Sequence, residues 1–170
     1  MSGFPNTMSM TQAPAVVGQL ASLNPRHALA GAAGAWTAGI GGITVGCFAW
    51  ADATSTNSVL INNAASGVPS CVVSNELSAM VTTYLSETSL VIPKGYPVPG
   101  AYVSCDIWVK NTNASAAAAV GNKAFAKLTD GTVQFAAAGS TISGYVETKW
   151  IAYTTGAAGD IVKICPVVID

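Results

Sequence analysis

Hydrophobic and polar residues alternate along much of the chain beyond residue 42, a pattern typical of half-buried β-strands. The clearest case is Val103–Lys110, in which every second residue from Val103 to Val109 is apolar. This alternation places Trp108 on the outer face, where it either packs across neighbouring strands or contacts another subunit. Further strands are predicted at Gly42–Trp50, Val59–Asn62, Val68–Val73, Leu90–Ile92, Tyr145–Tyr153 and Ile161–Cys165.

Turn residues separate these short strands. Asp130-Gly131 is the strongest hairpin signal, because the pair suits a two-residue type I′ turn between Lys123–Thr129 and Thr132–Ala137. Pro166 is expected to end the pairing of the last strand. Short strands and turns in regular succession predict an all-β fold, an antiparallel β-sandwich or barrel of jelly-roll-like form.

Two segments allow a helical alternative. Asn75–Ser89 forms an amphipathic helix if Ser74 caps it, but its Val-Thr-Thr-Tyr centre favours a strand. The charge-free stretch Ala28–Ala51 is long enough to span a bilayer and contains a GxxxG match. Its glycines and the period of two beyond Gly42 favour a loop that runs into a strand, so no membrane partner is expected.

Residues 1–27 differ from the rest of the chain. They hold three prolines, no acidic residue and scattered apolar side chains without a clear period. This pattern predicts an extended N-terminal arm, either disordered or laid along a partner surface, in front of a single β domain at residues 28–170. Arg26 serves there as a polar anchor or simply keeps the arm soluble. The candidate partner-contact residues of the arm are Phe4, Pro14, Val16, Val17, Leu20, Pro25 and Arg26.

Charge is scarce: 7 Lys+Arg and 8 Asp+Glu give a net charge of −1, and only 9% of residues are charged. The average is about 25%. Such a balance lacks the basic surface that nucleic-acid binding requires. A surface so poor in charge predicts assembly with other proteins.

The sequence offers few groups for catalysis. The single His, His27, has no positional partner for a catalytic triad, and no phosphate-loop, nucleophile-elbow or zinc-protease motif is present. The cysteines show no CxxC spacing, which argues against a metal site; they are buried apolar residues or form one or two disulfides. We therefore expect no catalytic residues, no metal and no cofactor. The cysteines are Cys47, Cys71, Cys105 and Cys165.

Several stretches, in order and spacing, resemble the capsid cement, or decoration, proteins of tailed bacteriophages. They cover most of the chain. The segments are Pro14–Arg26, Thr44–Asp52, Thr82–Gly95, Ile107–Asn111, Val120–Ala126, Asp130–Gly131, Glu147–Trp150 and Gly156–Ile164.

The resemblance implies a structural virion protein, made in the bacterial host cytoplasm, that sits on the outer surface of the capsid. Its expected partners are the major capsid protein and further copies of itself, as a symmetric dimer or trimer, and it would cement neighbouring capsid proteins. The alternative is a carbohydrate-binding or receptor-binding β module. Such a module would require the tryptophans, which are dispersed in the sequence, to lie close together in the folded protein.

Overall fold

The computed structural model describes residues 15–31, 35–52, 60–75, 80–81 and 90–166. Every regular element in these ranges is a β-strand. The strands are β1 (His27–Ala28), β2 (Thr37–Ala38), β3 (Ile43–Thr44), β4 (Phe48–Ala51), β5 (Leu60–Asn62), β6 (Cys71–Val73), β7 (Met80–Val81), β8 (Leu90–Ile92), β9 (Ala101–Ser104), β10 (Ile107–Lys110), β11 (Lys123–Lys127), β12 (Val133–Ala136), β13 (Tyr145–Ala152) and β14 (Ile161–Pro166).

The strands form three sheets. The six-stranded sheet has the order β1-β9-β6-β4-β5-β2, the five-stranded sheet β10-β14-β13-β11-β12, and the three-stranded sheet β3-β8-β7. All pairings between these strands are antiparallel except that of β2 with β5. The predicted all-β sandwich is confirmed, and the described strands do not close into a barrel.

The six-stranded sheet is buried on both faces. Phe48 and Val72 point into a core shared with the five-stranded sheet. Ala49 and Val73 point into a second core, shared with the three-stranded sheet. A strand covered on both sides reads as a continuous apolar run, as at Phe48-Ala49-Trp50 and Cys71-Val72-Val73. The helical alternatives receive no support where the chain is described, since Met80–Val81 is a strand.

The prediction of one strand over Gly42–Trp50 was wrong. A turn at residues 45–47 divides the segment into β3 and β4, and Gly46 adopts a φ of 71° there. The two halves enter different sheets. Among the residues that the structure describes, no helix is long and apolar enough to cross a membrane.

The predicted strand Val103–Lys110 is also divided. Its first part belongs to β9 in the six-stranded sheet, and its second part is β10 in the five-stranded sheet. Cys105, Ile107 and Val109 are buried as the alternation predicts, whereas Val103 is half-buried. Because the chain passes from one sheet to the other at residues 105–106, the alternation does not continue through the break.

The hairpin at Asp130-Gly131 is confirmed, but its two-residue turn was wrong. The Lys127 amide donates to the Thr132 carbonyl (2.9 Å), which leaves a four-residue loop at 128–131. The Gly131 amide donates back to the Lys127 carbonyl (2.8 Å), and Gly131 has a φ of 68°. The loop packs against β4, where the Phe48 amide donates to the Gly131 carbonyl (2.8 Å).

The last two strands lie close to their predicted bounds. β13 ends one residue earlier than predicted, and Pro166 does not end the pairing before it, since it lies opposite Trp150 as the final residue of β14.

All four cysteines are free; Cys47, Cys71 and Cys105 are buried and Cys165 is half-buried. Three of the four thus behave as buried apolar residues.

Candidate functional site

The described part of the N-terminal arm follows one edge of its own domain. The Gly18 amide donates to the Trp108 carbonyl (2.7 Å), and the Trp108 amide donates to the Gln19 carbonyl (2.9 Å). The Ala21 amide donates to the Asp106 carbonyl (2.8 Å). These bonds add the arm to the edge of β10 as an antiparallel neighbour.

The same arm continues along the edge of β9. His27 and Ala28 form β1 opposite Ser104 and Tyr102. The Leu29 amide then donates to the Ala101 carbonyl (2.8 Å). Because β9 and β10 belong to different sheets, the arm covers consecutive edges of both, and such cover prevents an edge strand from pairing with another chain.

Asp106 holds the arm where it passes between the two sheets. Its Oδ2 accepts hydrogen bonds from Ser22 Oγ (2.7 Å) and Asn24 Nδ2 (2.9 Å), and Lys163 Nζ lies 3.8 Å away. The Asp106 side chain is only 12% exposed. A partly buried carboxylate with several donors is well satisfied, so it fixes the arm more firmly than an exposed ion pair would.

Two glycines seat the arm against the domain. Gly18 has a φ of 82°, and a Cβ there would lie 2.9 Å from the Asn75 amide nitrogen. A Cβ on Gly46 would lie 2.3 Å from a methyl carbon of Val17. The Asn75 amide donates to the Gly18 carbonyl (2.7 Å). Only glycine permits this close approach of arm and turn.

The predicted arm residues therefore divide into two groups. Val17 is buried and Leu20 packs against the core, so both serve their own chain. Val16 is 51% exposed, Pro25 is exposed, and Arg26 is exposed with its guanidinium 5.6 Å from the centre of the Tyr102 ring. Phe4 and Pro14 lie outside the described residues.

Leu23, which was not among the predicted contact residues, is the most exposed apolar side chain in the described part of the arm, residues 15–27. Its relative exposure is 104%. In the sequence, Leu23 is one of several scattered apolar residues, and nothing there distinguishes it. In the structure, its neighbours Ser22 and Asn24 turn their side chains towards Asp106, which leaves Leu23 directed at solvent.

Trp108 lies half-buried on the outer face of the five-stranded sheet, on the side that the alternation predicts. It is opposite Lys163, and Lys110 is opposite Ile161. Residues opposite one another in an antiparallel pair share a face. Cys165, two residues after Lys163 and on the same side of β14, lies opposite Ile151, and Ile151 lies opposite Lys123. The same face therefore extends across β13 to β11. We call this surface the lysine face and define it as Trp108, Lys110, Lys123, Ile151, Ile161 and Lys163.

Lysines are concentrated in this sheet. Of the six lysines, every one except Lys94 lies on a strand of the five-stranded sheet. Lys127 is paired with Asp130 (2.8 Å) and Lys163 lies near Asp106. Neither Lys110 nor Lys123 is in an ion pair with any part of the chain that the structure describes. Lys110 and Lys123 therefore leave uncompensated positive charge on this sheet of an otherwise charge-poor molecule.

The buried thiols are unsuited to act as nucleophiles. Burial raises the pKa of Cys47, Cys71 and Cys105 to about 12, so these thiols stay protonated at neutral pH. Cys47 borders an apolar cavity of about 80 Å³ that Val17 also lines. Within the described ranges, no group of three or more His, Cys, Asp or Glu side chains has a metal-binding arrangement.

The tryptophans are divided between core and surface. Trp50 and Trp150 are buried, and Trp150 packs edge-on against Phe48 with ring centres 5.1 Å apart. Trp36 is half-buried and donates from its indole nitrogen to the Leu29 carbonyl (2.8 Å). Two of the four tryptophans are therefore unavailable for stacking on a sugar.

The fold is an all-β sandwich of three sheets, and it is shared with a chain of a solved phage capsid. The chain is similar to one in the solved structure "The capsid of Myoviridae Phage XM1", with a TM-score of 0.63, 15% identity and 97% of both chains covered. The family model described as XM1 gp53 minor capsid protein matches residues 4–165, and the chain belongs to this family. It is a structural, capsid-associated protein of a bacteriophage virion. No curated protein matches the chain.

Proposed function

We propose that this protein binds the outside of the assembled capsid and cements neighbouring major capsid proteins, which stabilises the head. Membership of a minor capsid protein family is the observation that carries the proposal. A protein that binds the assembled lattice, but not its dissociated subunits, stabilises the lattice by mass action. Each molecule that bridges two capsid proteins adds avidity, so weak individual contacts are sufficient.

The contact surfaces lie in two places. The arm supplies Phe4 and Pro14, together with the exposed Val16, Pro25 and Arg26. Trp108 supplies an aromatic contact with another subunit from the outer sheet face. Val17 and Leu20 contribute indirectly, because they anchor the arm to the domain from which it starts.

The role is structural and not enzymatic. Its support is that His27, the single imidazole of the chain, lies on the exposed edge strand β1, and that three of the four thiols are buried and protonated. We further propose a homodimer or homotrimer, made in the host cytoplasm, with neither nucleic acid nor membrane as a partner. Light scattering of the purified protein measures this oligomeric state directly.

The test mixes the purified full-length protein with capsids that lack it, followed by sedimentation and a heat challenge. Cementing predicts that the protein pellets with the capsids and raises the temperature at which they rupture. Protein that stays in the supernatant contradicts the proposal and directs attention to the carbohydrate-binding or receptor-binding alternative, for which a glycan array is the assay.

A truncation tests the arm separately. Residues 18–29 are hydrogen-bonded into the domain, so removing them would disturb the fold as well as any contact with the capsid. Deleting residues 1–14 leaves those bonds in place. If this variant binds capsids as tightly as the full-length protein, the first part of the arm is not a capsid contact.

A further inference from the structure

We propose that the lysine face docks onto an acidic surface of a neighbouring capsid subunit. This inference rests on the proposed function and assigns one surface of the molecule to it. The face spans β10, β14, β13 and β11, and three interstrand spacings make it about 14 Å across. Trp108, Ile151 and Ile161 lie among the three lysines, and all six side chains are half-buried.

Of the three lysines on this face, Lys163 lies 3.8 Å from the Asp106 carboxylate, whereas Lys110 and Lys123 are in no ion pair within the described chain. Asp106 is occupied by Ser22 and Asn24 as well as by Lys163. Glu147, on the outward side of β13, accepts a hydrogen bond from the Gly139 amide (2.8 Å). Asp160, directly before Ile161, accepts a hydrogen bond from the Ala157 amide (2.8 Å). Neither Glu147 nor Asp160 forms an ion pair with Lys110 or Lys123.

A mixture of cations and apolar side chains suits an acidic protein surface. Carboxylates on the partner would pair with Lys110 and Lys123, while Trp108 and the isoleucines would lose contact with water. A second copy of this chain is a poor occupant, because a twofold contact would bring lysine face against lysine face. The subunit that Trp108 contacts is therefore the capsid protein, and the proposed homo-oligomer forms through another surface. A nucleic acid is also less suitable, since phosphates gain nothing from the isoleucines and the chain carries a net charge of −1.

Charge reversals with a matched control test the assignment. Lys110→Glu and Lys123→Glu each change the net charge by the same amount as Lys94→Glu, and Lys94 is exposed in a turn outside this sheet. Binding to capsids that lack the protein is measured by sedimentation at low and high salt. We expect each face variant to bind about tenfold more weakly than Lys94→Glu at low salt, and the difference to shrink at high salt.

The outcomes separate this inference from the proposed function. If the wild type binds and the face variants match Lys94→Glu, the docking surface lies elsewhere although the protein still binds capsids. If the wild type itself does not bind capsids, the proposed function is contradicted, and the docking surface assigned to it is contradicted with it. Circular dichroism and thermal unfolding check that each variant folds, and Lys110→Gln with Lys123→Gln replaces any reversal that does not.

A DNA titration addresses the competing partner. The wild type and the double variant Lys110→Glu/Lys123→Glu are titrated against a fluorescent 20-base-pair duplex at the same salt concentrations. The proposal expects no binding by the wild type at physiological salt. Duplex binding that the double variant loses, together with unchanged capsid binding, would overturn the proposal in favour of a nucleic acid.

Discussion

At the residue scale, a few glycines with positive φ decide how closely the sheets approach. Gly131 is the strongest case, since a Cβ there would lie 2.0 Å from the Phe48 carbonyl oxygen and 3.2 Å from that of Asn63. The residue therefore combines a left-handed backbone with a contact that no side chain can enter. Gly139 shares the backbone requirement, with a φ of 77°, but has open space around it.

Gly131→Ala should lower the free energy of unfolding by roughly 3 kcal/mol, because both backbone strain and displacement of β4 oppose the alanine. Gly139→Ala should cost only about 1 kcal/mol, the price of the left-handed conformation alone. Urea unfolding of the two variants measures the difference. Equal losses would mean that the loop at 128–131 does not pack tightly on Phe48.

The thiols provide a prediction on pH. Burial raises the pKa of Cys47, Cys71 and Cys105 in the folded protein from 9.0 to about 12. Their contribution to stability is complete below pH 9 and is lost as the pH rises from 9 towards 12, because only the unfolded chain ionises in that window. Thermal unfolding between pH 8 and pH 11 should show a falling midpoint, and a flat profile would contradict it.

Reactivity follows from the same burial. In the folded protein at pH 8, a thiol reagent should modify Cys165 first, because it is only half-buried, and the other three only at the rate of unfolding. Mass spectrometry of the partly labelled protein identifies the site. Early labelling of Cys47 would show that the cavity beside Val17 opens without unfolding.

At the element scale, the segment at 101–110 determines where the arm lies. Its division into β9 and β10 creates two consecutive edges, and the residues between them place the Asp106 carboxylate where Ser22 and Asn24 can reach it. The sequence predicted an extended arm and a strand at Val103–Lys110 separately. That the two lie side by side depends on the passage of this segment between sheets.

Asp106→Ala should loosen the arm without unfolding the domain. Loss of both side-chain hydrogen bonds should speed hydrogen exchange at the Ala21 amide by about tenfold, which corresponds to about 1.4 kcal/mol of local stability. The Ile164 amide in β14 serves as the internal reference. Asp160→Ala, which removes an exposed hydrogen bond to the Ala157 amide, is the control that should leave Ala21 unchanged.

At the scale of the whole molecule, the arm keeps the domain from pairing with other chains through an open edge. Without residues 18–21, the Trp108 amide and carbonyl would face solvent at the edge of the five-stranded sheet. An uncovered edge is a template for another strand. The arm therefore has a role within the subunit, in addition to the capsid contact proposed for it.

Deleting residues 1–26 should produce concentration-dependent association, whereas deleting residues 1–14 should not, because only the longer deletion uncovers β10. Light scattering at increasing protein concentrations distinguishes the two. Identical particle sizes for both truncations would mean that the edge is protected by something other than residues 18–21.

The sequence by itself determined the class of fold, because period-two alternation and turn residues depend only on neighbours along the chain. It located the hairpin at Asp130-Gly131, the strand ending near Ala152 and the outward side of Trp108. For the cysteines it left buried apolar residues or disulfides open, and the structure has all four free and three of them buried. Each of these features is local, and the residues that create it lie within a few positions of one another.

Only the tertiary structure decided which strands share a sheet, that the arm lies along residues 101–108, and that Lys110, Lys123 and Lys163 occupy one face. These facts depend on pairings between residues far apart in the chain, which alternation cannot encode. The split of Gly42–Trp50 and of Val103–Lys110 has the same origin, because a change of sheet leaves the local pattern almost intact. The lysine face therefore became visible only through strand register.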